Sequence, residues 1–400
     1  MPLERPVLPL LGPRRVVADF GGSYAAAAIV AFLFSCTGPV AIILSVGAAG
    51  GLSESDIASW LFGGFFLNSL ISVAFSLAYR QPLVFLWSIP GAVIVGPALG
   101  HLTLAEVVGA YLVTGVVMLL LGLSGWVRRA MQAVPMPIVM AMVAGVFLRF
   151  GTGLVHAFTA DLAIAAAMCI VWLLFSVVPP LGRVVPPLIA ALAAGALVIA
   201  VEGTFKPAGG ALFALATPNL YAPQFSWPAL VELVVPLAIT VLTVQNAQGI
   251  AILTANGHHP PVNAITAACG AGAIVTGLLG AVPTCLTGPV NAVISTSGEK
   301  GRQYTAALFV AVLAMAFGLL APFFTRLLLA TPPAFIATLA GLAMLRILQT
   351  AFTASFAGRF SFGALVCFLV TVADVAIFRI GAPFWGLVLG VAASRLLERE

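Results

Sequence analysis

The sequence predicts an all-α polytopic membrane protein, arranged as two inverted repeats of seven transmembrane segments. Of its 400 residues, 62% are hydrophobic and only 7% are charged, and the mean hydropathy is +1.16. Soluble domains carry about 25% charged residues, so this composition excludes a water-soluble fold. Apolar stretches long enough to cross a bilayer recur along both halves of the chain. In each half, proline interrupts the third stretch.

Fourteen segments follow when roughly 20 apolar residues are taken for each span. The first repeat covers residues 1–201 and the second covers 229–400, and a Pro- and Gly-containing connection over 202–228 joins them. Two segments, 83–98 and 281–297, are broken. The predicted segments are 24–46, 57–78, 83–98, 104–123, 131–148, 160–178 and 185–201, then 229–254, 262–279, 281–297, 304–321, 332–351, 362–378 and 383–397.

The positions of Lys and Arg predict the orientation, because cytoplasmic loops carry an excess of both. A cytoplasmic N-terminus places 13 of the 17 basic residues inside and leaves Arg149, Lys206, Arg326 and Arg379 outside. We therefore expect a multi-pass protein of the cell inner (plasma) membrane with both termini in the cytoplasm. An odd number of segments per repeat turns the second repeat upside down, an arrangement typical of secondary transporters.

The two broken segments share one local pattern. Each has a short extended run, then a hydroxyl residue (Ser88 or Thr287), then a proline (Pro90 or Pro289) that opens a half-helix. Broken backbone survives at membrane depth only when it is packed in protein or lines a cavity. Two opposed half-helices would meet near the midplane, where their N–H groups and dipoles favour an anion.

Polar residues in the first segment of each repeat extend this candidate site. Ser35, Cys36 and Thr37 lie at mid-depth in the first segment, and the eighth carries several uncharged amides. Amides inside the membrane are costly unless they are paired. Because residues three apart share a helix face, we expect Gln245 and Gln248 to line one cavity with Asn246 at its edge.

Several function classes are excluded or disfavoured. The five cysteines have no metal-ligand spacing, so we expect no metal site and no cofactor. Basic residues do not cluster into a patch, which argues against a nucleic-acid partner. No carboxylate pair or nucleophile with its base is apparent, so we do not expect an enzyme.

The chain resembles the benzoate/proton symporter (BenE-type) family over essentially its whole length. The resemblance rests on four stretches: FSCTGPV from Phe34, VQNAQGIAILTANG from Val244, VPTCLTGPVNA from Val282 and GAPFWGLVLG from Gly381. The layout is also similar to the seven-plus-seven fold of nucleobase permeases and sulfate-type anion transporters. This similarity implies a core domain from helices 1–4 and 8–11 that slides against a gate domain from helices 5–7 and 12–14.

The resemblance also guides the choice of substrate. Nucleobase permeases carry acidic residues where this chain has Asn246 and the stretch 288–291, and their absence favours an organic anion. Phe34 and Phe85 are candidates to surround an aromatic ring, with Trp87, Ile89 and Leu286. The predicted substrate-binding residues are Ser35, Cys36, Thr37, Trp87, Ser88, Ile89, Gln245, Asn246, Gln248, Cys285, Leu286, Thr287, Gly288 and Asn291.

Proton coupling follows from charge. An aromatic acid is almost wholly ionised at neutral pH, and moving its anion against an inside-negative potential costs about 2.3 kcal/mol per 100 mV. A co-transported proton cancels that cost, so symport is predicted. Glu232, at the start of the eighth segment, and Asp374 are candidates to carry the proton; Asp374 is also predicted to pair with Arg379.

Other functions stay open at the level of sequence. A nucleobase or inorganic-anion carrier on the same scaffold is the alternative within transporters. An anion channel is a further alternative, although a channel needs a continuous polar pore. The expected partners are the aromatic carboxylate, the proton and the lipid bilayer, and a homodimer is considered as an assembly.

Overall fold

The computed structural model describes residues 3–8, 11–131, 134–206, 213–378 and 380–398, and these are mostly helical. Two short strands are present, β1 (Phe85–Trp87) and β2 (Thr284–Leu286). Shorter helices, left unnumbered, cover Pro13–Asp19, Val127–Met131, Pro179–Val184 and Ala321–Leu329. The numbered helices are α1 (Gly22–Ala49), α2 (Glu54–Tyr79), α3 (Ile89–Ala98), α4 (Leu104–Ser124), α5 (Met136–Ala160), α6 (Leu162–Val177), α7 (Pro187–Glu202), α8 (Trp227–Ala255), α9 (Val262–Gly277), α10 (Gly288–Ile294), α11 (Lys300–Leu319), α12 (Pro333–Phe356), α13 (Ser361–Ala373) and α14 (Ala382–Leu397).

Seven of the described helices are long and apolar enough to cross a membrane by length and composition, namely α1, α2, α4, α5, α8, α11 and α12. The prediction of a helical polytopic membrane protein is therefore confirmed. The remaining numbered helices are shorter, so the count of fourteen spans stays a prediction.

Three helices have boundaries that differ from the prediction by five residues or more. Helix α5, predicted over 131–148, runs from Met136 to Ala160, because Leu154 and Ala157 continue its buried face past Arg149. Helix α12 likewise continues five residues past its predicted end at 351. Helix α13, predicted to reach 378, ends at Ala373, where Asp374 turns left-handed with φ 53°. Asp374 thus lies beyond the helix and not inside it.

Local sequence explains where several helices begin. Capping boxes open α2, with Ser53 and Asp56, and α4, with Thr103 and Glu106; in each, side chain and backbone exchange hydrogen bonds. Helix α1 changes direction at Thr37 (φ −87°, ψ −91°), because the following Gly38–Pro39 pair lacks one backbone donor.

Helices α2 and α8 contain π turns, at Gly63–Leu67, Leu230–Val234 and Thr240–Asn246. Such bulges shift the helical register locally and are frequent at functional sites. In α2 the bulge presents Gly64 to the Trp87 ring, where an added Cβ would lie 2.8 Å from Trp87 Cδ1. The bulge therefore makes room for Trp87 beside β1.

The two strands form an antiparallel pair that relates the two repeats. Leu86 faces Cys285 at its centre, and each of these residues lies two positions before the hydroxyl residue of its own break. The pair thus has a local two-fold relation, as inverted repeats require. Its register and flanking backbone bonds are Phe85↔Leu286, Leu86↔Cys285, Trp87↔Thr284, Ser88 N to Pro283 O (3.0 Å) and Thr287 N to Val84 O (3.1 Å).

The described helices pack in two sets. In the first set α4 packs along α9 and against α8, α2 packs along α11, α1 packs against α3, α10 and α11, and α8 packs against α10. In the second set α5 packs along α12 and α13, α6 along α7, and α13 along α14. The sets meet where α1 crosses α12, and a side chain at Gly38 would collide with Ala343 there. Movement of one set against the other stays a prediction.

Candidate functional site

Strand β1 is held in place by two serines of α2. Ser72 Oγ accepts a hydrogen bond from Phe85 N (2.8 Å) and donates to Phe85 O (3.0 Å). Ser76 Oγ does the same for Leu83, at 3.2 and 3.1 Å. Both serines are fully buried and lie four residues apart on one helix face. Their hydroxyls satisfy strand backbone groups that a two-stranded ribbon in a membrane would otherwise leave unpaired.

Two asparagines of the second repeat also hold the strand backbone in place. Asn246 Oδ1 accepts from Leu286 N at 2.8 Å. Asn291 Oδ1 accepts from Val84 N at 3.0 Å, and its Nδ2 donates to Val84 O (3.2 Å) and Thr287 O (2.7 Å). Both side chains are almost wholly buried. These amides therefore brace the backbone of the break, and a contact with substrate stays a prediction for them.

The two half-helices begin with different chemistry. Ser88 Oγ caps α3 by accepting from Gly91 N at 3.1 Å. Thr287, at the equivalent position before α10, makes no such cap. Its Oγ1 is buried and has no hydrogen-bond partner among the described residues. A buried unpaired hydroxyl is costly, and a role for this atom in ligand binding stays a prediction.

The Thr287 hydroxyl lines a narrow pocket of about 30 Å³ between α1, α8, the strands and the half-helix starts. Predicted site residues Ser35, Trp87, Ile89 and Gln245 line the same pocket. Among the described residues, its wall consists of Phe34, Ser35, Pro39, Leu86, Trp87, Ile89, Gln245, Thr287, Pro289 and Val290. The structure thus brings residues from both breaks, from α1 and from α8 to one point.

A larger cavity of about 530 Å³ adjoins this pocket and shares Ile89, Gln245 and Pro289 with it. Its wall is predominantly apolar, and Gln248 is the further predicted residue that lines it. The other lining residues come from α3, α5, α8 and α12: Pro90, Met136, Met140, Val143, Phe147, Thr243, Val244, Ala247, Ala251, Arg346, Ile347, Thr350 and Ala354.

The contributions of α5 and α12 were missed by the sequence reasoning, which placed the site on the other helices. A signal was present. Met136, Met140, Val143 and Phe147 follow each other at spacings of four, three and four, which places them on one face of α5. In an apolar helix such a face looks like ordinary packing, and only its position opposite the breaks identifies it as a cavity wall.

Arg346 is the one charged residue in the cavity wall, among the residues that the structure describes. It lies within α12, as the predicted segment 332–351 implied, and it is one of the 13 basic residues assigned to the cytoplasmic side. Its side chain is exposed, and it forms no ion pair with the described part of the chain. An unneutralised guanidinium beside an apolar wall is suited to a carboxylate.

The cavity is open at one end of the molecule. Met136, Ala251 and Thr350, where α5 begins and α8 and α12 approach their ends, are exposed. Toward the other end, Phe147 and Val93 are fully buried. The open end is the cytoplasmic one in the predicted orientation.

The remaining predicted residues lie around these walls. Leu286 packs against α8, where a Cβ on Gly249 would lie 2.8 Å from Leu286 Cδ2. Gly288 lies against the side chain of Gln248. Thr37 Oγ1 donates to the carbonyl of Leu33 at 3.0 Å. The others are Cys36, partly buried in the core; Ser88, the cap of α3; Cys285, fully buried; and Phe85, whose ring packs 5.1 Å from Phe75.

The two acids named for proton coupling have different surroundings. Glu232 is 2% exposed, and its Oε2 lies 2.9 Å from His101 Nε2. Asp374 is about half exposed and lies 3.4 Å from Arg149 Nη2. Its predicted partner, Arg379, lies outside the described residues. No three His, Cys, Asp or Glu side chains within the described ranges are grouped to hold a metal ion.

Comparison with known proteins adds a family to this geometry. Residues 18–396 match the family described as BenE, benzoate membrane transport protein. Inner membrane protein YdcO of Escherichia coli (strain K12) is 29% identical over 369 residues, covering 91% of this chain and 93% of the relative. The benzoate membrane transport protein of Acinetobacter baylyi (strain ATCC 33305 / BD413 / ADP1) is 26% identical over 384 residues, with 95% and 96% covered.

Solved structures share the fold at low sequence identity. The overall structure of SLC26A9 matches with a TM-score of 0.66 and 14% identity over 93% of this chain, which spans 64% of that protein's length. The transmembrane domain of the cyanobacterium bicarbonate transporter BicA matches with a TM-score of 0.61 and 16% identity, covering 96% of this chain and 99% of that domain. At such identities the likeness is one of fold.

Proposed function

Because the chain belongs to the benzoate membrane transport protein family, whose members are membrane transporters and not enzymes, we propose that it imports benzoate or a close aromatic carboxylate with a proton. The observation that carries this proposal is the cavity of about 530 Å³, apolar except for Arg346 and a few uncharged polar groups, which reaches both half-helix starts. Ligand pockets of about 300–1,000 Å³ hold small organic molecules. An apolar wall suits an aromatic ring, and one guanidinium suits one carboxylate.

Binding is proposed where the large cavity meets the narrow pocket near the midplane, between the starts of α3 and α10. The Thr287 hydroxyl is available as a donor to the carboxylate, and Trp87 and Ile89 offer apolar surface to the ring. Alternating access then requires the set containing α3 and α10 to move against the set containing α5 and α12. The proposed setting is the inner membrane with cytoplasmic termini, and a homodimer is allowed.

The His101–Glu232 pair is our candidate for the proton. Glu232 belongs to α8, and its Oε1 lies against Gly381, the residue directly before α14 of the other helix set. The pair therefore sits where the two sets touch, at the closed end of the molecule. Other titratable groups on the elements packed against this turn are Glu106 and Tyr111 on α4, and Arg395 at the far end of α14.

Burial gives this pair a coupling role. A buried carboxylate costs several kcal/mol unless a positive charge or a proton compensates it. The co-transported proton is therefore proposed to be carried on this pair, in which the buried Glu232 contacts His101 at 2.9 Å beside Gly381, at the boundary of the two helix sets.

The alternative functions fit the residues of the large cavity's wall less well. A nucleobase carrier of the related fold would use acidic residues, and the described cavity wall contains none. An anion channel needs a continuous polar pore, whereas the wall of this cavity is predominantly apolar and includes fully buried side chains such as Phe147. An inorganic anion would leave the apolar wall without a partner.

Reconstituted protein tests the proposal. Proteoliposomes with an inward proton gradient are expected to accumulate labelled benzoate, and unlabelled benzoate, but not uracil or sulfate, is expected to compete. Replacing Arg346 with Gln removes a charge-assisted hydrogen bond worth roughly 1.5–3 kcal/mol, so the Kd for benzoate should rise about tenfold or more. Uptake that responds neither to the pH gradient nor to voltage would refute symport.

A further inference from the structure

A second, smaller pocket lies at the closed end of the molecule, and its wall repeats that of the open cavity. It measures about 150 Å³ and is lined by residues of α1, α3, α5 and α12. The open cavity is lined from α8, α10, α12 and α5 together with the start of α3. Exchanging the repeats turns α8, α10 and α12 into α1, α3 and α5. The two hollows are therefore related by the internal symmetry of the fold.

The correspondence holds residue by residue on α5 and α12. Both helices begin directly after a proline, Pro135 or Pro332, at positions 197 residues apart. The same offset relates Arg149, Phe150 and Gly153 of the small pocket to Arg346, Ile347 and Thr350 of the cavity, and Met140 of the cavity to Ala337 of the small pocket. Each arginine is the single charged residue in its wall as described.

The inverted insertion carries the two arginines to opposite ends. Each lies 13 residues beyond the first residue of its helix, about 20 Å along the axis at 1.5 Å per residue. Because α5 and α12 run in opposite directions through the molecule, Arg149 faces the closed end and Arg346 the open end. The two arginines also differ in their ion pairs: Arg149 is paired with Asp374 at 3.4 Å, whereas Arg346 has no such partner in the described chain.

We propose that Arg149 and Arg346 are a symmetry-related pair of carboxylate-binding residues, one for each vestibule of the transporter. The small pocket is the outer vestibule in its collapsed form. There Asp374 is paired with the Arg149 guanidinium, which binds the substrate carboxylate instead when that end opens. Arg346 performs the same role in the inner vestibule. This inference rests on the proposed function, because it assigns two successive positions to the same aromatic carboxylate.

Sided transport measurements test the pair. Benzoate uptake would be measured in right-side-out and inside-out membrane vesicles for Arg149→Gln and Arg346→Gln. Each variant is expected to raise KM about tenfold from one side only, and the two variants from opposite sides, because each removes one charge-assisted contact. Arg149→Lys and Arg346→Lys should recover most of the affinity, since the positive charge remains.

The outcomes separate the inference from the function beneath it. Wild-type vesicles that take up no benzoate in either orientation would overturn the proposed function, and the inference with it. Normal wild-type uptake with no change in KM in the variants, or with equal changes on both sides, would overturn the arginine pair alone. Asp374→Asn checks the ion pair: we expect a lower KM on the Arg149 side, because a competing carboxylate is removed. If KM on that side instead rose as much as in Arg149→Gln, loss of the ion pair itself would explain both results, and the inference would be overturned.

Discussion

Thr287 is where the two repeats differ most in local chemistry. Its counterpart Ser88 caps a half-helix, whereas the Thr287 hydroxyl is buried without a partner among the described residues and faces the narrow pocket. A protein that keeps an unpaired polar atom at such a position forfeits stability. What sets Thr287 apart from the other buried unpaired hydroxyls is its place in the pocket wall, where the proposed carboxylate would supply the missing partner.

Replacing Thr287 with Val should separate stability from binding. Valine preserves the shape and removes the unpaired hydroxyl, so the melting temperature is expected to stay level or rise. The Kd for benzoate should increase about tenfold, the equivalent of 1.4 kcal/mol for a lost hydrogen bond to a charged group. Thr338→Val is the matched control, because that hydroxyl on α12 is also buried and unpaired but lies in neither cavity wall. Unchanged benzoate affinity in Thr287→Val would contradict the assignment.

Glu232 gives the second prediction at the scale of a residue. Gln at this position keeps the size of the side chain but cannot gain or lose a proton. Glu232→Gln is expected to exchange labelled for unlabelled benzoate across proteoliposomes, and to lose most of the accumulation that a pH gradient drives. Glu106→Gln, a nearby carboxylate that caps α4 at the surface, serves as the control. Gradient-driven accumulation at the wild-type level in Glu232→Gln would remove this pair from the coupling mechanism.

At the scale of elements, the strand pair is the structure on which the site depends. Three strand residues per repeat provide few hydrogen bonds of their own, so side chains from α2, α8 and α10 complete them. Loss of these side-chain hydrogen bonds would displace the starts of both half-helices together, because each strand leads directly into its half-helix.

Removing the asparagine braces should therefore destabilise the protein in a defined order. Asn291→Ala leaves the Val84 N–H unpaired and also removes the bonds that Asn291 Nδ2 donates to the Val84 and Thr287 carbonyls, whereas Asn246→Ala leaves the Leu286 N–H unpaired. The Val84 carbonyl keeps the hydrogen bond from Thr287 N. Each buried group left unpaired costs about 1–3 kcal/mol. Thermal unfolding should rank wild type above Asn246→Ala, and Asn246→Ala above Asn291→Ala. Asn256→Ala, in the loop after α8, is the control. The reverse ranking would show that these amides do not act as braces.

The strand, hydroxyl and proline pattern was readable in sequence because proline and glycine act locally. The pairing of Leu86 with Cys285 was not, since register depends on contacts between distant segments. The π turns that place Gln245 and Asn246 leave no signal in hydrophobic periodicity. Arg346 was used only to predict the orientation, because a basic residue toward the cytoplasmic end of a predicted segment carries no sequence signal that it lines a cavity.

At the scale of the whole molecule, one end is open and the other closed. The open cavity is more than three times the volume of its symmetry counterpart, 530 against 150 Å³. The two repeats have similar sequence patterns, so each can adopt the conformation that the other has here. If they exchanged conformations, the closed end would open and the open end would close. The asymmetry observed here therefore corresponds to one state of an alternating cycle in the proposed mechanism.

Cysteine labelling would test this state on a single helix. Met136 and Thr159 lie at opposite ends of α5, both exposed, and Met136 lines the open cavity. In a background with the five native cysteines replaced, Met136→Cys is expected to react with an impermeant maleimide from the cytoplasmic side, and benzoate should slow that reaction. Thr159→Cys should react from the opposite side at a rate that benzoate leaves unchanged. Labelling of Met136→Cys from outside would reverse the predicted orientation, and labelling that benzoate does not slow would separate the cavity from the substrate path.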